Sequence, residues 1–233
     1  MSLSRIGSMA TIIVALSYVT FPSLGVAQQP GGQSAQTVAA PPVKPGDVEL
    51  GSSRVYIRVG KTGAGHEHAV VGNLKQSWLK LSPQAAGESQ GKLVFDMTTF
   101  DADSDAARQY IGLAGSTDAS TRKQVNDNML GKDVLDVRHY PTAEFNATKI
   151  SKLDKPSPRN LPQYDVEGQF TLHGVTRPIK FTIDVEEVQG WYRVRGAFGI
   201  LQTQFGMKPY SKLFGAVGVT DKLDIYGDLY VAP

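Results

Sequence analysis

Between Gln163 and Val185 apolar and polar residues alternate with a period of two, twice over. Tyr164, Val166, Phe170 and Leu172 share one parity, and Asp165, Glu167, Gln169 and Thr171 the other. Ile179, Phe181, Ile183 and Val185 then alternate with Lys180, Thr182, Asp184 and Glu186. Successive side chains of a strand point to opposite faces, so each arm has one apolar and one wetted face. The stretch from His173 to Pro178 reads as the turn. Gly174 provides a permissive backbone there, and Pro178, which has no N–H, opens the return arm. Such a hairpin needs a core against its apolar face.

The same alternation recurs along the chain. Val55, Ile57 and Val59 alternate with Arg54, Tyr56 and Arg58, and a glycine-rich turn leads into a segment from His66 to Gly72. Further strands are expected at Trp78 to Leu81, at Leu93 to Met97, at Thr142 to Ile150, at Trp191 to Gln202 and at Lys222 to Val231. A helix is expected from Thr121 to Gly131, with Ser120 as its N-cap and Val125, Met129 and Leu130 on one face. The polar stretch from Asp101 to Asp118 reads as loop. Many short strands separated by turn signals, joined as sequential hairpins, predict an antiparallel meander closed as a sandwich or barrel.

The alternation also assigns glycines to the interior. Gly168, Gly196 and Gly227 each share parity with the apolar file of their strand. Two readings are open: a bend at a barrel corner, or space left for a ligand inside a barrel of about eight strands.

Charge and composition narrow the function classes. The 233 residues carry a net charge of only +2 and no basic stripe, which argues against nucleic acid. With no cysteine there is no disulfide, thiolate metal site or lipid-modified cysteine. At the start of the chain Arg5 precedes an apolar run from Met9 to Val19, then Pro22 and Gly25-Val26-Ala27. This predicts a signal peptide over residues 1–27, cleaved after Ala27, and export to the periplasm or beyond. An uncleaved anchor is the other reading, but the run is shorter than the ~20 residues of a membrane span. Residues 28–46, rich in Pro, Gly, Gln and Ala, are expected to be a disordered linker ahead of a domain over 47–233.

Candidate chemistry is sparse. His66 and His68 lie two apart and would face the same way on a strand, as half a metal site or as polar contacts at a barrel mouth. Asp101-Ala102-Asp103-Ser104-Asp105 opens like a calcium loop, but Ala106 and Gly112 stand where Gly and Glu are required. The glycines at 63 and 65 are not followed by a helix, so they form no phosphate cradle. No nucleophile motif or thiol is present.

Four stretches together resemble the YceI-like family of exported, lipocalin-like polyisoprenoid-binding proteins: Val55 to Gly72, His139-Tyr140-Pro141-Thr142-Ala143-Glu144-Phe145, Val166 to Pro178, and Gln204-Phe205-Gly206-Met207. The third is the most specific, and all four occur in family order. The resemblance implies an all-β fold with one or two short helices: an extended antiparallel lipocalin-like β-barrel of about eight strands, partly covered by the helix and holding an isoprenoid tail. The chain departs from the family pattern in an expanded stretch from Asp101 to Asp118 and in Met129 to Leu135, both near the expected mouth.

On this reading the protein is a carrier or sequestering protein and not an enzyme. It needs no cofactor and takes an isoprenoid or similar lipid non-covalently. Val166, Phe170, Leu172, Phe181, Ile183, Phe198, Ile200, Ile225 and Leu229 would line the cavity, with Trp78 and His68 near its mouth. A transient membrane contact and a homodimer are the further partners considered. The competing readings are a metal-assisted enzyme using His66, Glu67 and His68, and a structural barrel with a packed interior.

Overall fold

A computed structural model describes residues 42–81 and 89–233. The expected signal segment 1–27 and its cleavage point lie outside the described residues, as do linker residues 28–41 and the Ser82-Pro83 stop. The described part is one antiparallel sheet of nine strands: β1 (Arg54–Gly63), β2 (His68–Lys80), β3 (Gln90–Ala102), β4 (Thr142–Lys152), β5 (Gln163–Leu172), β6 (Val175–Val188), β7 (Trp191–Leu201), β8 (Ser211–Lys212) and β9 (Val217–Val231). Neighbours in sequence pair in order from β1 to β7, β9 follows β7, and pairing of β1 with β9 closes an eight-stranded barrel. The two residues of β8 add only a short pairing to the start of β9. Gly46 anchors the entry to the barrel, its N–H donating to Ala232 O at 2.9 Å.

The alternation carries over into burial. Tyr164, Val166, Phe170 and Leu172 are all buried, and with Phe95, Phe145, Ile183 and Ile225 they belong to one continuous core. Three details differ from the sequence expectation. The first is the turn, which is not six residues long: Leu172 pairs with Val175, so His173 and Gly174 form it alone. Both have positive φ, 51° and 74°, the backbone that a two-residue hairpin requires to match strand twist. Pro178 therefore lies inside β6, opposite Gln169. It is tolerated because β6 pairs with β7 only from Ile183 to Val188, which leaves the other edge at Pro178 free of a ladder.

The second difference is in β2, whose register slips between Lys75 and Trp78, with Gln76 at φ 45°. An extra residue reverses the parity of the positions after it. Val70 and Leu74 point inward before the slip, and Ser77 and Leu79 after it.

The third is a second helix. The stretch expected as loop holds α1 (Asp105–Ile111), capped by the Ser104 side chain at its start and by left-handed Gly112 at its end. Helix α2 spans Ala119–Leu130, and its N-cap is Asp118, not Ser120. The Asp118 carboxylate accepts from the N–H groups of Ser120 and Thr121 at 3.0 Å each. Asn126 and Arg122 tie α2 to the end of β3: Asn126 Oδ1 accepts from Ala102 N–H at 2.7 Å, and Arg122 Nε donates to Ala102 O at 3.1 Å.

Candidate functional site

The barrel interior holds two apolar chambers. The larger, about 150 Å³, is lined by 25 residues, of which only His68, Asn128, Gln202 and Tyr210 carry polar side chains. Val125 and Met129 of α2 close over it, with Val134 and Leu135 of the following loop. The smaller, about 60 Å³, has a lining made only of apolar residues and glycines. Val55, Phe95, Phe198 and Ile225 line both and form the pinch between them. Phe170 packs edge-on against Phe95 and Phe198, with ring centroids 6.3 and 5.8 Å away.

The expected cavity residues divide between the chambers. Phe170, Leu172, Phe198, Ile200, Ile225 and His68 line the larger. Val166, Phe181, Ile183 and Leu229 line the smaller, which Phe198 and Ile225 also border. Trp78 is placed differently from the expectation. It is 38% exposed and lines neither chamber. The β2 bulge turns it outward, and it sits at the opposite end of the strand from His68.

The three inward glycines prove unequal. A Cβ on Gly168 would fall 2.4 Å from the Phe145 ring, and one on Gly196 2.7 Å from Ile183 Cγ2. Both positions are already filled by a neighbour's side chain. A Cβ on Gly227 would meet nothing within 4 Å, so that glycine alone leaves the smaller chamber open.

One corner of the larger chamber is polar and organised. Asp103 has a side chain only 1% exposed and a left-handed backbone, φ 57°. Its carboxylate lies 2.6 Å from His68 Nδ1, accepts from Ala69 N–H at 3.1 Å and pairs with Arg108 of α1 at 3.0 Å. Burial pushes the Asp103 carboxyl up. The hydrogen bonds from His68, Ala69 and Arg108 together outweigh this and hold it below the ordinary aspartate value. Because a carboxylate only accepts, His68 Nδ1 carries the proton and Nε2 makes no hydrogen bond within the described residues. Asp103 escaped sequence reading because its partner His68 is 35 residues away, and Arg108 because it joins the site only through Asp103. The acidic stretch itself was visible, but its roles are to hold His68, Arg108 and α2.

His66 is exposed and its ring lies edge-on to His68 at 5.4 Å. His66 precedes β2 and is exposed while His68 lines the chamber, so the two do not share a strand face as expected. No group of three or more His, Cys, Asp or Glu able to hold a metal ion occurs among the described residues.

The barrel wall also has a split. Beyond Ile183 and Gly196, β6 and β7 no longer pair. Phe181 and Phe198 face each other there, ring centroids 5.0 Å apart. The cleft above them is lined by Arg177, Lys180, Thr182, Ala197 and Gly199, among others. Residues 202–205 form a 3-10 turn at its end, and Phe205, 1% exposed, fills the interior behind it.

The YceI-like domain model matches residues 48–230. A UPF0312 protein of Pseudomonas putida strain W619 is 30% identical over 127 residues, 52% of this chain and 61% of its own length. Another UPF0312 protein, from Pseudomonas savastanoi pv. phaseolicola, is 37% identical over 83 residues, 33% of this chain and 40% of its own. The chain thus spans about six tenths of the length of the first of these curated relatives. Among solved structures, BcnA of Burkholderia cenocepacia superposes with a TM-score of 0.59 at 21% identity, over 80% of this chain and all of that one. That likeness shows the shared barrel.

Proposed function

The chain belongs to the YceI-like family, and from that premise we propose that it is an exported protein that holds the tail of an isoprenoid or similar long-chain amphiphile, as a carrier or sequestering protein. The observation that carries this reading is the lining: two adjoining apolar chambers, with polar side chains confined to the larger. An amphiphile matches that division, with its tail along the apolar file and its head at His68. Held by Asp103, His68 offers Nε2 to a hydroxyl or other hydrogen-bonding head. Such chemistry needs no cofactor.

Each buried methylene contributes about 0.8 kcal/mol. A tail burying roughly ten carbons gains about 8 kcal/mol gross, the scale of micromolar binding before ordering costs. An engineered apolar cavity of about 150 Å³ accepts a benzene ring. The larger chamber is of that size, so a ring or a short branched unit fits without movement. A longer tail needs Phe198 to turn and join the chambers.

Native mass spectrometry of gently purified protein, followed by solvent extraction, tests the proposal. A bound isoprenoid-like lipid, or uptake of an added isoprenoid quinone at micromolar concentration, is the expected result. A clean apo mass together with no uptake would overturn it.

A further inference from the structure

Leu213 and Phe214 stand out from the rest of the surface. Leu213 is 72% exposed, and Phe214, at 113%, has no more cover than in an extended chain. They sit at the tip of the hairpin in which Ser211 and Lys212 of β8 pair with Gly218 and Val217 of β9. Both have left-handed backbones, φ 49° and 54°, followed by Gly215 at φ 93°. That conformation is unfavourable for large non-glycine residues, and here it turns two apolar side chains away from the protein.

The surroundings are basic. Lys208 and Lys212 lie in this segment and are exposed. Lys61, also exposed, pairs with Val219 across the neighbouring strand. No Asp or Glu occurs anywhere between Glu187 and Asp221. The tip also adjoins the ligand chamber, because Tyr210 and Val219 line its polar end. Val219 N–H donates to Tyr210 O at 3.0 Å.

We propose that the Lys208–Ala216 loop docks the end of the barrel beside the larger chamber on an anionic lipid surface, Leu213 and Phe214 entering the bilayer interface and the lysines meeting the head groups. A convex pair of apolar side chains is too small for a stable protein interface, and its lysines would repel a second copy. The same charges complement an anionic membrane. The docking surface does not depend on which molecule fills the barrel.

The test is co-sedimentation with vesicles of phosphatidylglycerol and phosphatidylethanolamine, against vesicles of phosphatidylcholine. The protein and its Leu213→Ser/Phe214→Ser variant are compared in the same form, and neither side chain is buried, so the variant keeps the fold. The protein is expected to prefer the anionic vesicles and to release as salt rises. The double variant should lose about tenfold or more in partition, and Lys208→Gln/Lys212→Gln several-fold, on anionic vesicles alone. Three results each overturn the proposal: no binding to anionic vesicles, equal binding by the double variant, or a dimer that the double variant abolishes in place of vesicle binding. Native mass spectrometry of the same samples separates this from the carrier reading. A lipid-loaded protein that ignores vesicles sinks the docking alone, and an empty barrel that takes up no added isoprenoid quinone yet still binds them sinks the carrier alone.

Discussion

Asp103 holds the polar corner together through His68, Arg108 and a backbone N–H. Removing its charge leaves Arg108, whose side chain is 13% exposed, without its carboxylate. Breaking a buried pair in this way costs about 3–5 kcal/mol. Asn tolerates the left-handed backbone at this position, so Asp103→Asn isolates the charge, and a lowered urea midpoint is the expected readout. The folded carboxyl titrates below its unfolded value. Its contribution is therefore complete above about pH 4 and disappears as pH falls through the lower folded pKa. In the Asn variant that part of the acid destabilisation should be missing from a pH series of unfolding midpoints. The glycines offer a second residue-scale contrast. Gly168→Ala forces a Cβ against Phe145 and the Asn146 carbonyl and should destabilise the barrel by about 1–3 kcal/mol. At Gly227 a Cβ meets nothing within 4 Å, so Gly227→Leu should cost less stability than Gly168→Ala. By filling the smaller chamber it should weaken long-tail ligands by about 2 kcal/mol, for roughly three displaced methylenes, while short ones bind as before. Titrations with prenyl alcohols of two lengths measure the difference.

At the scale of elements, the split between β6 and β7 is the weak line of the wall. Residues 175–182 pair only with β5, and residues 197–201 only with β9. Their outer edges lack ladder bonds, and local opening concentrates where such bonds are few. Hydrogen exchange should show faster loss over 175–182 and 197–201 than over β5, and slower loss once a tail packs behind Phe181 and Phe198. Uniform protection across β5, β6 and β7 would contradict an open seam. Lys180 and Pro178 suit such an edge, because a charge and a missing donor both discourage pairing with another chain. Elsewhere on the wall, α1 covers the barrel through Tyr110, which stacks on Tyr56 at 3.6 Å. Burial, with the Asp228 charge nearby, pushes the Tyr110 phenol up to about 12. The contact therefore stays neutral throughout the physiological range.

For the whole molecule, binding in a preformed apolar interior must appear as stability. A ligand at about a hundred times its Kd raises the unfolding free energy by about 2.7 kcal/mol. Thermal unfolding with and without an added isoprenoid quinone should show an upward shift. Gly227→Leu should reduce that shift for the long-tailed ligand, and a surface change at Leu213 and Phe214 should not. The two chambers and their pinch belong to this scale too, since Val55, Phe95, Phe198 and Ile225 come from four different strands.

By itself the sequence determined the meander and the apolar files of its most regular strands, such as Val166, Phe170 and Leu172 in β5, because strand alternation is local and repeats every second residue. It also pointed to the family through short stretches such as Val166 to Pro178. Tertiary structure alone decided which inward glycine stays open, since that depends on a neighbour's side chain across the ladder. The outward turn of Trp78 rests on one unpaired residue in β2, and alternation has no means of announcing such an insertion. Asp103 became the anchor of His68 only when β2 met the end of β3. Helix α1 has its caps at Ser104 and Gly112 and its Arg108–Asp103 pair close by in sequence, but Tyr110 finds its stacking partner Tyr56 only in the folded barrel.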